Sequence, residues 1–342
     1  MRQDQWFGMT TDTFLSTGVL SREHNTSKYL CNGDSIRLTP GPFPSTLDAR
    51  TPMSTPSPTL SRRSAFKMFG AIGAATALPG CTALAPLVGL TGAPTDVDIF
   101  NFALNLESLE AEYYLRGTTG RGMDDADAGR EPGPVTGGHL VPWQNADLRQ
   151  FMEEVAQNEL AHVRYYRRVL GDAAVSRPKI DLAGGFAAAA RAAGLGDDFD
   201  PFASEMNFFL GGMLMEDVGI TAYTGAAPLI ASKTFLAAAA GILAVEAYHM
   251  GMARSTLYRM GAAARQAANA ISDARDRLDG PDDLDQGIEM NGRANIVPAN
   301  ADAQAFGRLP QQVLRIVYLT DQAGVSGGGI FPDGMNGTLR TT

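Results

Sequence analysis

Two short runs carry residue types that bind metal, Glu159-Leu160-Ala161-His162 and Glu246-Ala247-Tyr248-His249. Glu and His three apart on a helix project from the same face, about one turn apart. Each run lies within an apolar-periodic stretch, the second of them behind Phe235, Leu236, Ala239, Ile242 and Leu243. An ionised group inside a core is expensive unless something pairs with it. A metal ion would give both residue types a reason to be there. Two Glu-x-x-His helices, plus one Glu on each of two further helices, are the ligand set of a dinuclear carboxylate centre in a four-helix bundle. The further acids are Glu107, with Glu110 on the same face, and Glu216. A single Glu-x-x-His is weak evidence, because roughly one His in sixteen has a Glu three places before it by composition alone. The order Glu, Glu-x-x-His, Glu, Glu-x-x-His on four apolar stretches is a specific signal. The competing reading is a bundle whose site has decayed and whose acids pair with arginines.

Four helices must position these residues. Thr95 and Asp96 cap a first helix whose stripe is Phe100, Ala103, Glu107, Glu110 and Tyr114, ending at Gly117. A Gly/Pro/Asp-rich connection over 117–146 is long for a bundle loop and reads as a lid or a surface excursion. His139 in it reads as solvated. The second helix runs from Ala146 to Leu170, with Glu159 and His162 inside its apolar stripe, and Gly171 ends it. A crossover over 171–202, with a short helix at 182–193, leads to a third helix over 201–224 around Met213, Glu216 and Tyr223. The fourth spans Lys233–Gly261 and continues, polar and Ala-rich, to about Leu278. After a loop over 281–303, a fifth helix is expected at 303–319. The Gly-rich end reads as irregular coil packed on the bundle, or as a partner or dimer surface. The fold class is therefore all-α: a four-helix bundle over 95–262 with a long crossover between helices 2 and 3, and a C-terminal helical and coil extension over 263–342.

The helices repeat as pairs. Tyr114 follows Glu107 by seven residues, and Tyr223 follows Glu216 by seven. Arg167 follows His162 by five, and Arg254 follows His249 by five. Two helix hairpins related by an internal twofold are implied, with the dinuclear site on the axis. This pairing favours Glu107 over Glu110 as the ligand from the first helix. Glu110, Tyr114, Tyr223, Arg167 and Arg254 become additional ligands or supporting residues, and the tyrosines are suited either to donating to ligand carboxylates or to packing.

Composition limits the alternatives. A net charge of −9 and the lack of a Lys/Arg stripe argue against a nucleic-acid partner. Two cysteines, Cys31 and Cys81, make no disulfide framework and no CxxC. A metal would therefore be held by oxygen and imidazole, which suits iron, manganese or zinc.

The first ninety residues read as addressing rather than structure. Residues 1–59, rich in Ser, Thr and Pro, read as a disordered or untranslated leader, with Met53 as an alternative start. Residues 61–90 carry Arg62 and Arg63, then a short apolar run, then Leu78-Pro79-Gly80-Cys81. The first part resembles a twin-arginine export signal and the second a lipobox that would lipidate Cys81. The alternative is soluble release by cleavage around Ala83–Ala85. An exported protein is expected, in the periplasm, cell envelope or medium, touching a membrane only through a lipid on Cys81.

Residues 95–262 resemble the ferritin-like desiccation-related proteins of bacteria and plants. The carrying stretches are NFALNLESLEAEYY, ELAHVRYY, EDVGITAY and VEAYHM, with NIVPANADAQAFGRLPQQVLRIVY and GGGIFPDGMNG in the tail. The resemblance implies Glu107, Glu159, His162, Glu216, Glu246 and His249 as ligands. The expected cofactor is dinuclear iron or manganese acting on peroxide or dioxygen as small-molecule oxidant, with catalase-like chemistry for manganese and ferroxidase or peroxidase chemistry for iron. Protection against drying and oxidative stress is the expected setting. The second hypothesis is a non-catalytic envelope protein with a structural or vestigial metal site. A storage cage is disfavoured, because the insertions and tail would obstruct shell packing.

Overall fold

The computed structural model describes residues 93–342. The leader, the export-type segment with Arg62 and Arg63, and Cys81 lie outside the described residues. Among those described, helix dominates and strand is minor.

The first helix, α1 (Asp96–Thr119), starts with a reciprocal cap: Asp98 N–H donates to Thr95 Oγ1 at 3.2 Å, and Thr95 N–H donates to Asp98 at 2.8 Å. It runs past Gly117, where a stop was expected, and closes at Gly120 in the left-handed region, φ 78°. Gly117 has a packing reason instead. A Cβ there would lie 2.1 Å from Phe208 Cε2. The long connection that follows holds a single turn, α2 (Asp125–Ala128), and a short strand, β1 (Val135–Thr136). Next comes α3 (Ala146–Leu170), capped by the Asn145 side chain.

The crossover contributes β2 (Ile180–Asp181), paired parallel to β1, and α4 (Gly184–Ala192). That pairing fastens the long connection to the crossover, so it is a surface excursion tied at its middle. Helix α5 (Glu205–Ala226) begins at Ser204, later than expected. Glu205 explains the delay: its carboxylate accepts from Gln144 N and Asn145 N, both at 2.6 Å, and so fixes the start of α5 to the start of α3. Helix α6 (Lys233–Arg259) follows a short turn and is capped by Ser232. By length and composition α6 would also suffice to cross a membrane; here Glu246, His249 and Arg254 on its buried side commit it to the bundle.

Helices α1 and α3 pack as one hairpin and α5 and α6 as the other. Asp96 joins them at one end, accepting from Ala231 N at 2.7 Å and Ser232 N at 2.9 Å. Phe100, Leu104, Val163, Phe208, Phe209 and Met213 are all nearly inaccessible between them. Burying a side chain of this kind stabilises the fold by about 1.5–3 kcal/mol.

The expected continuation of the fourth helix does not occur. Gly261 at φ 109° breaks the chain, and α7 (Ala262–Asp279) is a separate helix. The fifth bundle-associated helix, α8 (Pro310–Tyr318), is shorter than expected and starts at Pro310, whose missing N–H and fixed φ suit a first turn. The residues before it are drawn into other contacts. Arg308 donates to Asp279 at 2.7 Å, Asp285 at 2.9 Å and Thr221 Oγ1 at 3.0 Å. Between α7 and α8, β3 (Glu289–Met290) and β4 (Arg293–Ala294) form a small antiparallel hairpin. The terminal coil packs on the bundle as expected: Ile330, Phe331, Met335 and Leu339 are buried, and Asn105 and Asn336 exchange two hydrogen bonds at 2.9 Å.

Candidate metal centre

All six acids and imidazoles singled out by the sequence converge in the bundle interior. Glu107 comes from α1, Glu159 and His162 from α3, Glu216 from α5, and Glu246 and His249 from α6. The four carboxylates are at most 1% exposed, and the two imidazoles 8% and 6%. They form two overlapping quartets, Glu107/Glu159/His162/Glu246 and Glu159/Glu216/Glu246/His249, in each of which one donor atom per residue lies within 4.8 Å of the others. Glu159 and Glu246 belong to both.

The imidazoles face inward through Nδ1. His162 Nδ1 is 3.0 Å from Glu107, 3.2 Å from Glu159 and 3.3 Å from Glu246. His249 Nδ1 is 2.8 Å from Glu159 and 3.7 Å from Glu216. The two rings are 6.4 Å apart. On its outer side His249 Nε2 meets the Asn158 side-chain amide at 3.2 Å, an outer partner of the kind that fixes the orientation of a ligating His.

The cluster is not satisfied by hydrogen bonds. Both oxygens of Glu216, both of Glu246, Glu159 Oε1 and His249 Nδ1 are buried without a hydrogen-bond partner. Glu159 Oε1 and His249 Nδ1 stand 2.8 Å apart yet lack hydrogen-bond alignment. Such groups cost about 1–3 kcal/mol each when left unpaired, so a cluster of them demands another partner. Divalent cations fit. Four carboxylates would balance two such ions, and carboxylate with imidazole is a donor set for iron or manganese.

Electrostatics show the same strain. Burial pushes Glu107 up to about 7 despite the neighbouring His162. Burial, then the Glu159 charge, raises Glu246 well above the usual carboxylate range. Burial also works against ionised Glu159, but the two imidazoles beside it outweigh that cost and hold the acid at about 2. Burial disfavours a charged His249, yet Glu216 and Glu159 raise it to about 11, and Glu107 raises His162 in the same way. In the protein alone, protons on the imidazoles do what cations would otherwise do.

Supporting residues sort themselves differently from the sequence pattern. Tyr223 donates its hydroxyl to Glu107. Tyr114 is buried, its phenol pushed up first by burial and next by the Glu216 charge. Glu110 is buried on the Gly219 side: a Cβ at Gly219 would lie 3.3 Å from Glu110 Oε1 and 3.5 Å from Glu246 Oε2. It belongs to neither quartet. Burial, followed by the Glu246 charge, raises it well above the usual carboxylate range. The two arginines predicted beside the centre are elsewhere. Arg167 donates to Val175 O at 3.1 Å, and Arg254 donates to Asp217 at 2.9 Å and to carbonyls of Gln286, Gly287 and Asn295. Five residues past a ligand is more than one turn, which swings each guanidinium off the inner face. His139 is exposed and pairs with Asp200 at 2.9 Å, away from the centre.

The comparisons agree with this geometry. A profile described as "Ferritin-like domain" matches residues 95–259. The desiccation-related protein PCC13-62 of Craterostigma plantagineum is 30% identical over 64% of this chain and 76% of its own length. This chain belongs to the ferritin-like desiccation-related family. The ferritin-like catalase Nec2 of Nesocodon mauritianus is 29% identical over 71% of this family member and 84% of its own length. No solved structure matches.

Two residues near the centre were passed over in the sequence. Asn158 precedes Glu159 directly, and only the approach of α6 brings His249 to it. Tyr166 lies four after His162 on the same stripe and reads as core, yet its hydroxyl meets Tyr223 OH at 2.7 Å.

Proposed function

We propose that this family member holds a dinuclear iron or manganese centre and turns over hydrogen peroxide. The observation that carries the reading is the sharing of Glu159 and Glu246 by two buried quartets. Glu159 and Glu246 would serve both ions of a pair, with Glu107 and His162 completing the set for one and Glu216 and His249 for the other. A relative whose name is ferritin-like catalase supports peroxide as the substrate.

When bound, the metal pair would supply the change of oxidation state that peroxide chemistry needs. The chain supplies the rest. The apolar bundle excludes bulk water, which strengthens electrostatic interactions inside it. Tyr223 fixes Glu107 and Asn158 fixes His249. Glu110, raised by burial and by the Glu246 charge, is the carboxyl near Glu246 best suited to hold and give up a proton. Export by the Arg62-Arg63 segment, with or without a lipid on Cys81, completes the proposal and would place this activity outside the cytoplasm.

The other relative's name, desiccation-related protein, supports a second reading, in which a non-catalytic protein with a structural or vestigial metal site protects surfaces during drying. Elemental analysis and peroxide consumption on one sample from the native compartment separate the two. About two Fe or Mn per chain, as expected for two quartets, together with turnover lost in His249→Ala, supports the enzyme. Metal without turnover supports the protective reading. Absence of both metal and uptake on reconstitution would sink the enzyme and leave the site vestigial in a protective protein.

A further inference from the structure

A line of tyrosines leaves the metal-site carboxylates and reaches the surface. Tyr223 OH donates to Glu107 Oε1. Tyr166, from the other hairpin, places its hydroxyl oxygen 2.7 Å from that of Tyr223. The Tyr166 ring meets Tyr165 edge to face, with centroids 5.6 Å apart. Tyr165 is half-buried, and its ring carries the guanidinium of the exposed Arg168 at 5.5 Å.

Packing alone does not require this arrangement. Phe would fill nearly the same volume at Tyr166 without a buried hydroxyl that needs a partner. Among the described residues, the one hydrogen-bond partner of the Tyr166 hydroxyl is the hydroxyl of Tyr223. Phenols are among the side chains most readily oxidised by one electron, and ring or hydroxyl contact is what passes the electron on.

We propose that Tyr223, Tyr166 and Tyr165 form a conduit that carries single electrons from a small phenol at the surface to the metal site. It rests on the redox reading above and adds a peroxidase outlet to it. Tyr223 would release an electron toward the metal site as its proton shifts along the hydrogen bond to Glu107 Oε1. Tyr166 passes an electron together with its hydroxyl proton across the 2.7 Å contact to Tyr223. Tyr165 then reduces Tyr166 and gives its own proton to solvent, while Tyr166 takes its proton back from Tyr223 and Tyr223 takes its own back from Glu107. The phenol reduces Tyr165, which regains a proton from solvent, so the chain is unchanged after each transfer. The phenol loses its own proton to solvent and leaves as a phenoxyl radical. Two transfers, with two solvent protons, reduce one hydrogen peroxide to two waters.

The test mixes full-length protein, loaded with iron or manganese, with hydrogen peroxide, freezes it rapidly and records electron paramagnetic resonance. Metal content and peroxide consumption are measured on the same samples. The expected result is a tyrosyl radical that guaiacol removes, lost in Tyr223→Phe. In Tyr165→Phe the radical is expected to persist and its quenching by guaiacol to slow. Phe retains the rings, and melting temperatures of the variants check their fold. Bound metal and consumed peroxide with no tyrosyl radical would overturn the conduit and leave the redox reading standing. The same holds for a radical unchanged in a Tyr166→Phe/Tyr223→Phe double variant. A chain that binds no metal overturns both.

Discussion

Tyr223 on α5 donates its hydroxyl to Glu107 on α1, so the tyrosine of one hairpin serves the glutamate of the other. Tyr114 on α1 answers it, lying close enough to Glu216 on α5 for that charge to raise its phenol. The Glu-to-Tyr spacing of seven, repeated in both hairpins, is therefore satisfied between the hairpins rather than within each helix. The centre is a joint product of the two hairpins.

In the proposed dinuclear centre, the overlap of the quartets would give unequal roles to the four acids. Removing a shared acid, by Glu159→Ala or Glu246→Ala, is expected to abolish binding of both ions. Removing Glu107 or Glu216 should cost chiefly one. Metal counting by mass spectrometry after dialysis checks this. Equal losses in all four variants would contradict the sharing. Tyr223→Phe, which strips Glu107 of its donor, is expected to weaken metal affinity about 10–100-fold.

Stability of the metal-free protein should depend on pH with a definite sign. Glu107, raised to about 7 by burial, holds its proton more tightly folded than unfolded, so its ionisation removes stability between about 4.5 and 7. His249, raised to about 11, contributes fully below about 6.5 and loses that contribution as pH rises to 11. Glu159, held at about 2, acts oppositely, and its contribution is lost only as pH falls from about 4.5 through 2. Melting temperature without metal is thus expected to fall as pH rises from about 4.5. Metal affinity should rise over the same range, because protons must leave the ligands. A metal-free melting temperature that climbs with alkalinity is the contrary result.

Behind the centre, Arg254, Arg275 and Arg308 interlock with Asp217, Asp279 and Asp285, all buried. Arg275→Ala would leave Asp217 and Asp285 short of a cation and is expected to cost about 3–5 kcal/mol in denaturant unfolding. Arg149→Ala, which breaks the exposed pair with Glu153, should cost no more than about 1 kcal/mol.

Two kinds of helical glycine should respond oppositely to alanine. At Gly117 the new methyl would collide with Phe208, and overpacking of about 1–3 kcal/mol outweighs the helix-propensity gain. At Gly241 and Gly251 nothing lies within 4 Å of the point a methyl would occupy, so alanine should stabilise by about 0.5–1 kcal/mol. Thermal denaturation of the three single variants decides it.

Much of the centre was legible in the chain, because the Glu-x-x-His spacing and the apolar stripes are local properties of a helix. Glu107, Glu159, His162, Glu216, Glu246 and His249 follow from one turn of geometry and the cost of burying charge, and the four helices follow from the same periodicity. Local pattern misled where a residue's reason lay in another element. Gly117 looks like a helix stop until Phe208 is seen against it; Arg254 looks like a neighbour of His249 until Asp217 and three distant carbonyls claim it. Pro310 rather than Ala303 opens the last helix because Arg308 is held by Asp279 and Asp285. Tertiary structure alone paired Tyr223 with Glu107, Tyr166 with Tyr223 and Asn158 with His249. Each of those contacts joins residues far apart in sequence, and helical spacing carries no information about which side chain an opposing helix will bring.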